Sequence, residues 1–333
     1  MMTVYRCSHC KHLGEHTAPV GIGKCAQCGS ETKLYDTVFF INQILARYST
    51  ALRELEALKC ADDGEPAEAA REQDGHVNPL AGQDFSETDI LANAAQHRPL
   101  EQWFAKHRIK ADFDYGKVDM SGYYDEAAAA IGKHYDLFKD VLSKINWAYR
   151  NNHSGANFDL KKYSQKDAQT LNRICREFYS HTLFSRYHYQ KPEKLLNLKL
   201  QSAPPVRQFF TGGWLEWFAL GKLLAQAAQR GQQYTFSCAR SVNIRFDNQD
   251  LHELDVVFLP AAGAPLVIEC KTGEYRRDLD KYLNLKKRLG IDACHFMILV
   301  TDIDESQAKS LRAMYDLTFV TPQSLAAYLQ EVM

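Results

Sequence analysis

The sequence predicts an α/β protein, with a carboxy-terminal mixed sheet flanked by helices, preceded by a small four-cysteine module and a helical middle region. Three observations predict it. Four of the nine cysteines crowd into the first 28 residues, residues 87–200 space their apolar side chains at helical steps, and from Gly212 onward helical stretches alternate with short apolar, β-branched runs. The 333 residues are 45% apolar, 24% charged and 11% aromatic, which excludes a wholly disordered chain and leaves room for two or three packed units. No run of eighteen apolar residues occurs, and the opening MMTVYRCSHC lacks the layout of a secretion signal. A cytoplasmic protein without a membrane partner is therefore expected.

The formal charge of -1 predicts no overall field that would draw the chain onto nucleic acid, so any polyanion contact must come from a local patch. Residues 1–100 hold 9 basic and 14 acidic groups, residues 101–200 hold 17 and 12, and residues 201–333 hold 14 and 15. Positive charge collects in the middle.

Residues 1–35 form the first element. Cys7 and Cys10, then Cys25 and Cys28, make two Cys-x-x-Cys pairs separated by fourteen residues, a spacing that lets two tight knuckles close four thiolates around one zinc ion. Gly29, directly after Cys28, fits a knuckle in which the backbone turns under the metal. Two disulfides would suit a secreted protein, and nothing else here points to one. His9, His12 and His16 are expected to face solvent, because four cysteines already complete the ligand set. Gly21-Ile22-Gly23 lacks the third glycine and the strand-then-helix setting of a dinucleotide loop. The pattern resembles a zinc ribbon, a family that serves nucleic-acid binding as well as structural and partner-binding roles, so the resemblance implies a structural Zn²⁺ and leaves its purpose open.

Over residues 36–60, Val38, Ile41, Leu45, Tyr48, Leu52 and Leu55 recur at steps of three and four, the stripe of a long amphipathic helix. Pairing with a second copy and packing on another domain fit it equally. Residues 61–86 carry seven acids, one base and two prolines with few large apolar side chains, the composition of a flexible acidic linker. Residues 87–205 return to helical texture, with Ile131, Tyr135, Phe138, Val141, Leu142 and Ile145 on one face. Arg173, Arg176, Phe178, Tyr179, Phe184, Arg186, Tyr187, Tyr189 and Lys191 then interleave cations and rings. Such a mixture could place cations on phosphates and rings on bases, but an amphipathic helix with a solvated basic edge is the favoured reading.

Residues 206–333 are expected to form the α/β domain. Trp214–Arg230 reads as a helix closed by Gly231, and Tyr234–Phe246, Leu254–Leu259 and Leu266–Cys270 read as strands. Arg276–Leu289 reads as a helix stopped by Gly290, His295–Thr301 and Leu317–Thr321 as later strands with a helix between them, and Thr321-Pro322 as the cap and first residue of a final helix.

Charged groups interrupt these apolar runs. Strict alternation puts Glu253, Asp255 and Val257 on one side of their strand, and Val267, Glu269 and Lys271 on one side of theirs. Pairing the strands would gather Asp255, Glu269 and Lys271, two carboxylates suited to Mg²⁺ or Mn²⁺ and an ammonium suited to a phosphate. Glu216 shares a helix face with Leu220, Leu223 and Ala227, where an acid needs a partner or a metal. The spacing Asp-x13-Glu-x-Lys is weak by itself, since strand-end salt bridges meet it too. Cys270 faces away from Glu269, as packed core.

In order, spacing and flanks, residues 212 to about 302 resemble the PD-(D/E)xK restriction-endonuclease-like superfamily, most of all the nuclease domain of the CRISPR ancillary nucleases. The matching stretches are GGWLEWF (212–218), HELDVVFL (252–259), VIECKTG (267–273) and KKRLG (286–290). The resemblance implies a restriction-endonuclease-like core with Glu216, Asp255 and Glu269 as Mg²⁺ or Mn²⁺ ligands and Lys271 as the catalytic lysine; Glu253, on the same strand as Asp255, is a lesser candidate for an auxiliary ligand and is not counted among the site residues. It ends before the amino-terminal two thirds. There those nucleases carry a Rossmann-like sensor of cyclic oligoadenylate, and here a ribbon, a long helix and a helical middle stand instead, so ligand-switched activation is not expected.

The expected function is a metal-dependent endonuclease hydrolysing phosphodiester bonds of DNA, with RNA as the alternative, in antiviral defence. A homodimer would supply one site per strand of a duplex, and the ribbon would grip nucleic acid or recruit a partner protein. The rival is a zinc-ribbon binding or regulatory protein whose nuclease fold is non-catalytic.

Overall fold

The computed structural model describes residues 3–7, 10, 12–19, 21–37, 94–113, 122–231 and 234–333. The stripe helix from Val38 to Leu55 and the acidic linker lie outside them. Packing divides the chain into one unit within residues 1–75 together with 202–204, and a second comprising 76–201 and 205–333.

In the first unit four short strands, β1 (Thr3–Arg6), β2 (Leu13–His16), β3 (Gly21–Lys24) and β4 (Glu31–Asp36), form an antiparallel sheet in the order β2-β1-β4-β3. Its buried core is small, consisting of Tyr5, Cys7, Cys25 and Leu34, and the Tyr5 hydroxyl accepts from the Ala26 amide at 2.9 Å. Strands this short cannot bury enough apolar surface to hold themselves, and two of the cysteines, Cys7 and Cys25, occupy core positions.

The second unit opens with α1 (Ala94–Lys106) and β5 (Lys110–Asp112). The middle follows with α2 (Tyr123–Lys133), α3 (Tyr135–Arg150), β6 (Gly155–Asp159), α4 (Gln165–Ser180), β7 (Phe184–Gln190) and β8 (Leu195–Leu200). Ile131, Tyr135, Phe138, Val141, Leu142 and Ile145 are all buried, as their spacing predicts. The middle is helical as expected, and it also contains an antiparallel sheet, β6-β8-β7, that helical spacing does not foresee. Arg186, Tyr187 and Tyr189 therefore lie on a strand and not along the basic edge of a helix. The helix bearing Arg173 and Arg176 ends at Ser180, and the chain turns at Thr182, which adopts a left-handed φ of 63°.

The third part runs α5 (Pro204–Gln208), a π turn, α6 (Trp214–Gln229), β9 (Phe236–Arg245), β10 (Leu251–Pro260), β11 (Leu266–Lys271), α7 (Leu279–Leu289), β12 (Phe296–Val300), α8 (Glu305–Met314), β13 (Thr318–Val320) and α9 (Leu325–Val332). From α6 onward this is the expected order of helices and strands. Gly290 ends α7 in a left-handed conformation (φ 69°) that only glycine adopts cheaply. The final helix starts later than expected, because Thr321 and Ser324 first bond one another in a turn around Pro322 and Gln323.

Six strands form a mixed sheet in the order β13-β12-β11-β10-β9-β5, parallel between β11, β12 and β13 and antiparallel elsewhere. Its edge strand β5 comes from residues the sequence assigns to the helical middle. Val257, Val267, Phe296, Ile298 and Phe319 pack with Tyr282, Leu285 and Leu289 of α7 and with Leu100 and Phe104 of α1. α2 crosses α6 so closely that a Cβ on Gly132 would lie 2.2 Å from the Phe218 ring, which leaves room for hydrogen alone.

Candidate functional site

In the antiparallel ladder Val256 stands opposite Ile268, Val257 opposite Val267 and Phe258 opposite Leu266. Beyond Val256 the main-chain ladder stops, and the Asp255 carboxylate takes over as acceptor, receiving the Cys270 amide at 2.7 Å. Alternation breaks at the same place. Leu254 and Val257 both enter the core, as do Ala239 and Val242 on the neighbouring β9, where Ser241 holds a left-handed φ of 54°. Glu253 and Val257 therefore do not share one face by simple alternation, and Glu253 is exposed. A non-glycine residue in that backbone region carries strain that its surroundings must hold.

Ser241 and its neighbour Arg240 hold Glu216. The Glu216 Oε2 atom accepts from the Arg240 guanidinium and from the Ser241 hydroxyl, each at 3.0 Å, and the guanidinium lies 4.0 Å from the centre of the Trp217 ring. An acid in the first turn of α6 is thus fixed against β9 by a cation that is itself stacked.

Glu269 is only 2% exposed, and its Oε1 atom has no hydrogen-bond partner. Burial, and then the charge of Asp255, raise its carboxyl well above the usual range; burial and then Glu216 do the same to Asp255. Two carboxylic groups held together in a dry place resist ionisation unless a cation joins them. Lys271, two residues further along β11, pairs with Asp278 at 3.0 Å and lies 5.5 Å from the Tyr282 ring centre. That pairing holds the Asp278 carboxyl below its ordinary value. Burial and the nearby carboxylates raise the Tyr282 hydroxyl, and burial first, then Asp255, raises the half-buried Cys270 thiol.

The structure thus brings Asp255 and Glu269 together at the point where β10 and β11 part, with Lys271 on the same strand end and Glu216 on the facing helix. A bare, buried carboxylate oxygen beside a second carboxylate fits a hard divalent cation. Glu216 is turned onto Arg240 and Ser241. Sequence reasoning misses Arg240, Ser241 and Asp278. An arginine inside the apolar strand FSCARSV was the available signal for the first, and Asp278 gives none, since it sits among charged loop residues.

In the amino-terminal unit the four cysteine sulfurs lie within 4.8 Å of one another, the one such cluster of three or more candidate ligands among the described residues. Cys7 and Cys28 sulfurs are 3.5 Å apart and those of Cys10 and Cys25 3.6 Å, too far for a disulfide and right for sharing one ion. The knuckles are closed by Cys7 N–H to His12 carbonyl at 2.8 Å and by Gly29 N–H to Cys25 carbonyl at 2.9 Å, with Gly29 at φ 72°. The set is able to hold zinc. Neither His12 nor His16 belongs to the sulfur cluster, and both are half-buried rather than turned fully to solvent: the His12 carbonyl closes a knuckle and His16 Nδ1 accepts from the Ala18 amide at 3.0 Å; His9 lies outside the described residues. No described helix is long and apolar enough to cross a membrane.

No protein-family model matches the chain, and no curated protein matches it. Among solved structures it is similar to protein VC1899 from Vibrio cholerae, at 15% identity over 70% of this chain and 60% of that one, with a TM-score of 0.48. It is also similar to Can2 from Sulfobacillus thermosulfidooxidans, solved in complex with cyclic tetra-adenylate, at 19% identity over 70% and 59%, with a TM-score of 0.46. The match takes in less than two thirds of either of those chains.

Proposed function

We propose that this chain is a metal-dependent nuclease that hydrolyses phosphodiester bonds, in DNA before RNA, and acts in defence against foreign nucleic acid. The observation that carries the reading is the unpartnered, buried Glu269 oxygen beside Asp255, with Lys271 on the same strand end. A folded protein leaves such an atom bare at a cost, and a functional ligand offsets it.

Asp255 and Glu269 would hold Mg²⁺ or Mn²⁺, with Glu216 as the third carboxylate. The ion would supply Lewis-acid activation of water and neutralise phosphate charge. Arg240 and Ser241 keep one Glu216 oxygen occupied and so orient the other. Lys271 exchanges Asp278 for the phosphate and stabilises the negative charge that grows there. Cys7, Cys10, Cys25 and Cys28 hold a structural Zn²⁺, and the ribbon grips nucleic acid or recruits a partner protein. A homodimer supplies the second site that cutting a duplex requires.

One observation favours a second reading, a zinc-ribbon binding or regulatory protein on a non-catalytic fold. Glu216 and Lys271 are both engaged, with Arg240 and Asp278, as in ordinary structural ion pairs. Plasmid, linear duplex, single-stranded DNA and RNA incubated with Mg²⁺ or Mn²⁺ separate the two. Cutting that disappears in Asp255→Asn and in Lys271→Ala supports the nuclease; tight binding of a probe by wild-type protein without turnover of any substrate supports the scaffold.

A further inference from the structure

The sheet β6-β8-β7 carries one face that the carboxylate site does not use. Burial assigns the faces: Ala156, Phe158, Leu196, Leu198 and Leu200 are buried, whereas Asn157, Arg186 and His188 are exposed and Asn197 and Lys199 half-buried. Register arranges the outward residues in rows. Arg186 stands opposite Lys199, which stands opposite Gly155; in the next row His188 faces Asn197, which faces Asn157.

Two cations directly opposite one another on neighbouring strands repel. Neither Arg186 nor Lys199 forms an ion pair among the described residues, whereas the exposed Lys162 and Arg173 pair with Asp140 and Glu177, each at 3.1 Å. Gly155, third in the row, adds no side chain beside them. The acid on this face, Asp159, stands two rows away opposite Leu195, and its carboxylate accepts the Lys161 amide at 2.9 Å. Residues 184–200 hold four basic side chains and one acidic one.

We propose that this face of the three-stranded sheet binds the phosphate backbone of a nucleic-acid strand, with Arg186 and Lys199 on phosphates and His188, Asn197 and Asn157 as neighbouring hydrogen-bond partners. Cross-strand neighbours have Cβ atoms about 5 Å apart, close enough for both cations to reach one phosphodiester or two successive ones. An acidic protein is the lesser fit, because protein interfaces centre on large apolar or aromatic anchors and this face offers cations, amides and an imidazole. A polyanion removes the repulsion that the fold leaves standing. The inference rests on the nucleic-acid part of the proposed function and makes this face a grip on the substrate strand.

The test measures binding of the full chain to a fluorescent single-stranded DNA and to its duplex by anisotropy, without added Mg²⁺ or Mn²⁺, across a salt series. For Arg186→Gln/Lys199→Gln we expect the slope of log K against log salt to fall by about 1.8 on the duplex and about 1.4 on the single strand, and affinity to drop at least about tenfold at ~0.1 M salt. Lys162→Gln, which removes a cation already paired, serves as the control and keeps wild-type affinity. The double variant melts no lower than wild type, because like charges have been removed, so its lost affinity is not lost folding. An unchanged slope, an equal loss in the control, no binding by the wild type, or displacement of the DNA by poly-glutamate at equal charge each overturns the proposal. Cutting by the wild type with binding unaffected in the double variant sinks this grip and leaves the nuclease. Salt-sensitive binding lost in the double variant, with no cutting under Mn²⁺, keeps the grip and sinks the nuclease.

Discussion

Residues 3–36 gather four sulfurs on a core of four buried residues, two of which, Cys7 and Cys25, are themselves candidate ligands. Asp255 and Glu269 hang instead on strands that run through a core of aliphatic and aromatic side chains contributed by α1, α7 and five strands of the large sheet. The first arrangement has too little apolar burial to hold like groups together without a metal. The second has enough to hold a carboxylate in a place where its charge is unwelcome. A metal in the amino-terminal unit would therefore act as a staple, and under the proposed function a metal between β10 and β11 would act as a reagent.

Removing zinc tests that contrast most severely. A strong chelator, or Cys25→Ser, is expected to strip hydrogen-exchange protection from residues 3–36 while the strands from Phe236 to Val300 keep theirs. Equal protection before and after would show that the small core stands alone. Glu269→Gln separates chemistry from stability at the other site. It is expected to lower cutting about a thousandfold while raising the melting temperature of the metal-free protein, because a neutral amide replaces a buried group that resists ionisation. A variant that melts lower would mean the carboxylate is a structural partner.

Packing around the sheet is then probed at Gly132, where a methyl group meets the Phe218 ring: Gly132→Ala should cost about 3 kcal/mol in a denaturant titration. A milder effect is expected from His97, which is 4% exposed, stacked 4.7 Å from Phe113, and pushed down to about 4 by burial. Its folded value lies below its unfolded one, so its stabilising contribution is whole above the unfolded value near 6.5 and is lost as pH falls toward 4. The melting temperature of wild type should fall over that window more steeply than that of His97→Gln. The smallest effect belongs to Lys162→Ala, whose pair with Asp140 is solvated on both sides; it should change stability by about 0.5 kcal/mol or less, checked by the same titration.

Much of this was legible in the residues. Cys-x-x-Cys spacing is a local geometric rule, and the strands LDVVFL and LVIECK announce themselves by apolar runs that tolerate few other structures. Less legible was β6, whose GANFD offers only two apolar side chains, and β7, whose FSRYHYQ reads as a basic, aromatic stretch until Leu198 and Leu196 pair with it. The edge position of β5 was equally hidden, because it depends on a partner, β9, more than a hundred residues away. At the site, the acids were visible and their partners were not. Arg240 is 24 residues from Glu216 and meets it only because α6 packs on β9.

The chain by itself determined where four thiolates would cluster, which segments from Trp214 onward would be helices and strands, and that an acid on α6, one on β10 and an acid and a lysine on β11 would interrupt apolar runs. These follow from spacing and periodicity, which act over a few residues. Tertiary structure decided which carboxylate oxygen is satisfied and which is left bare, which cation faces another cation, and where the main-chain ladder yields to Asp255. Burial and hydrogen bonding between distant segments set those outcomes, and neither exists until the sheet has closed over its core.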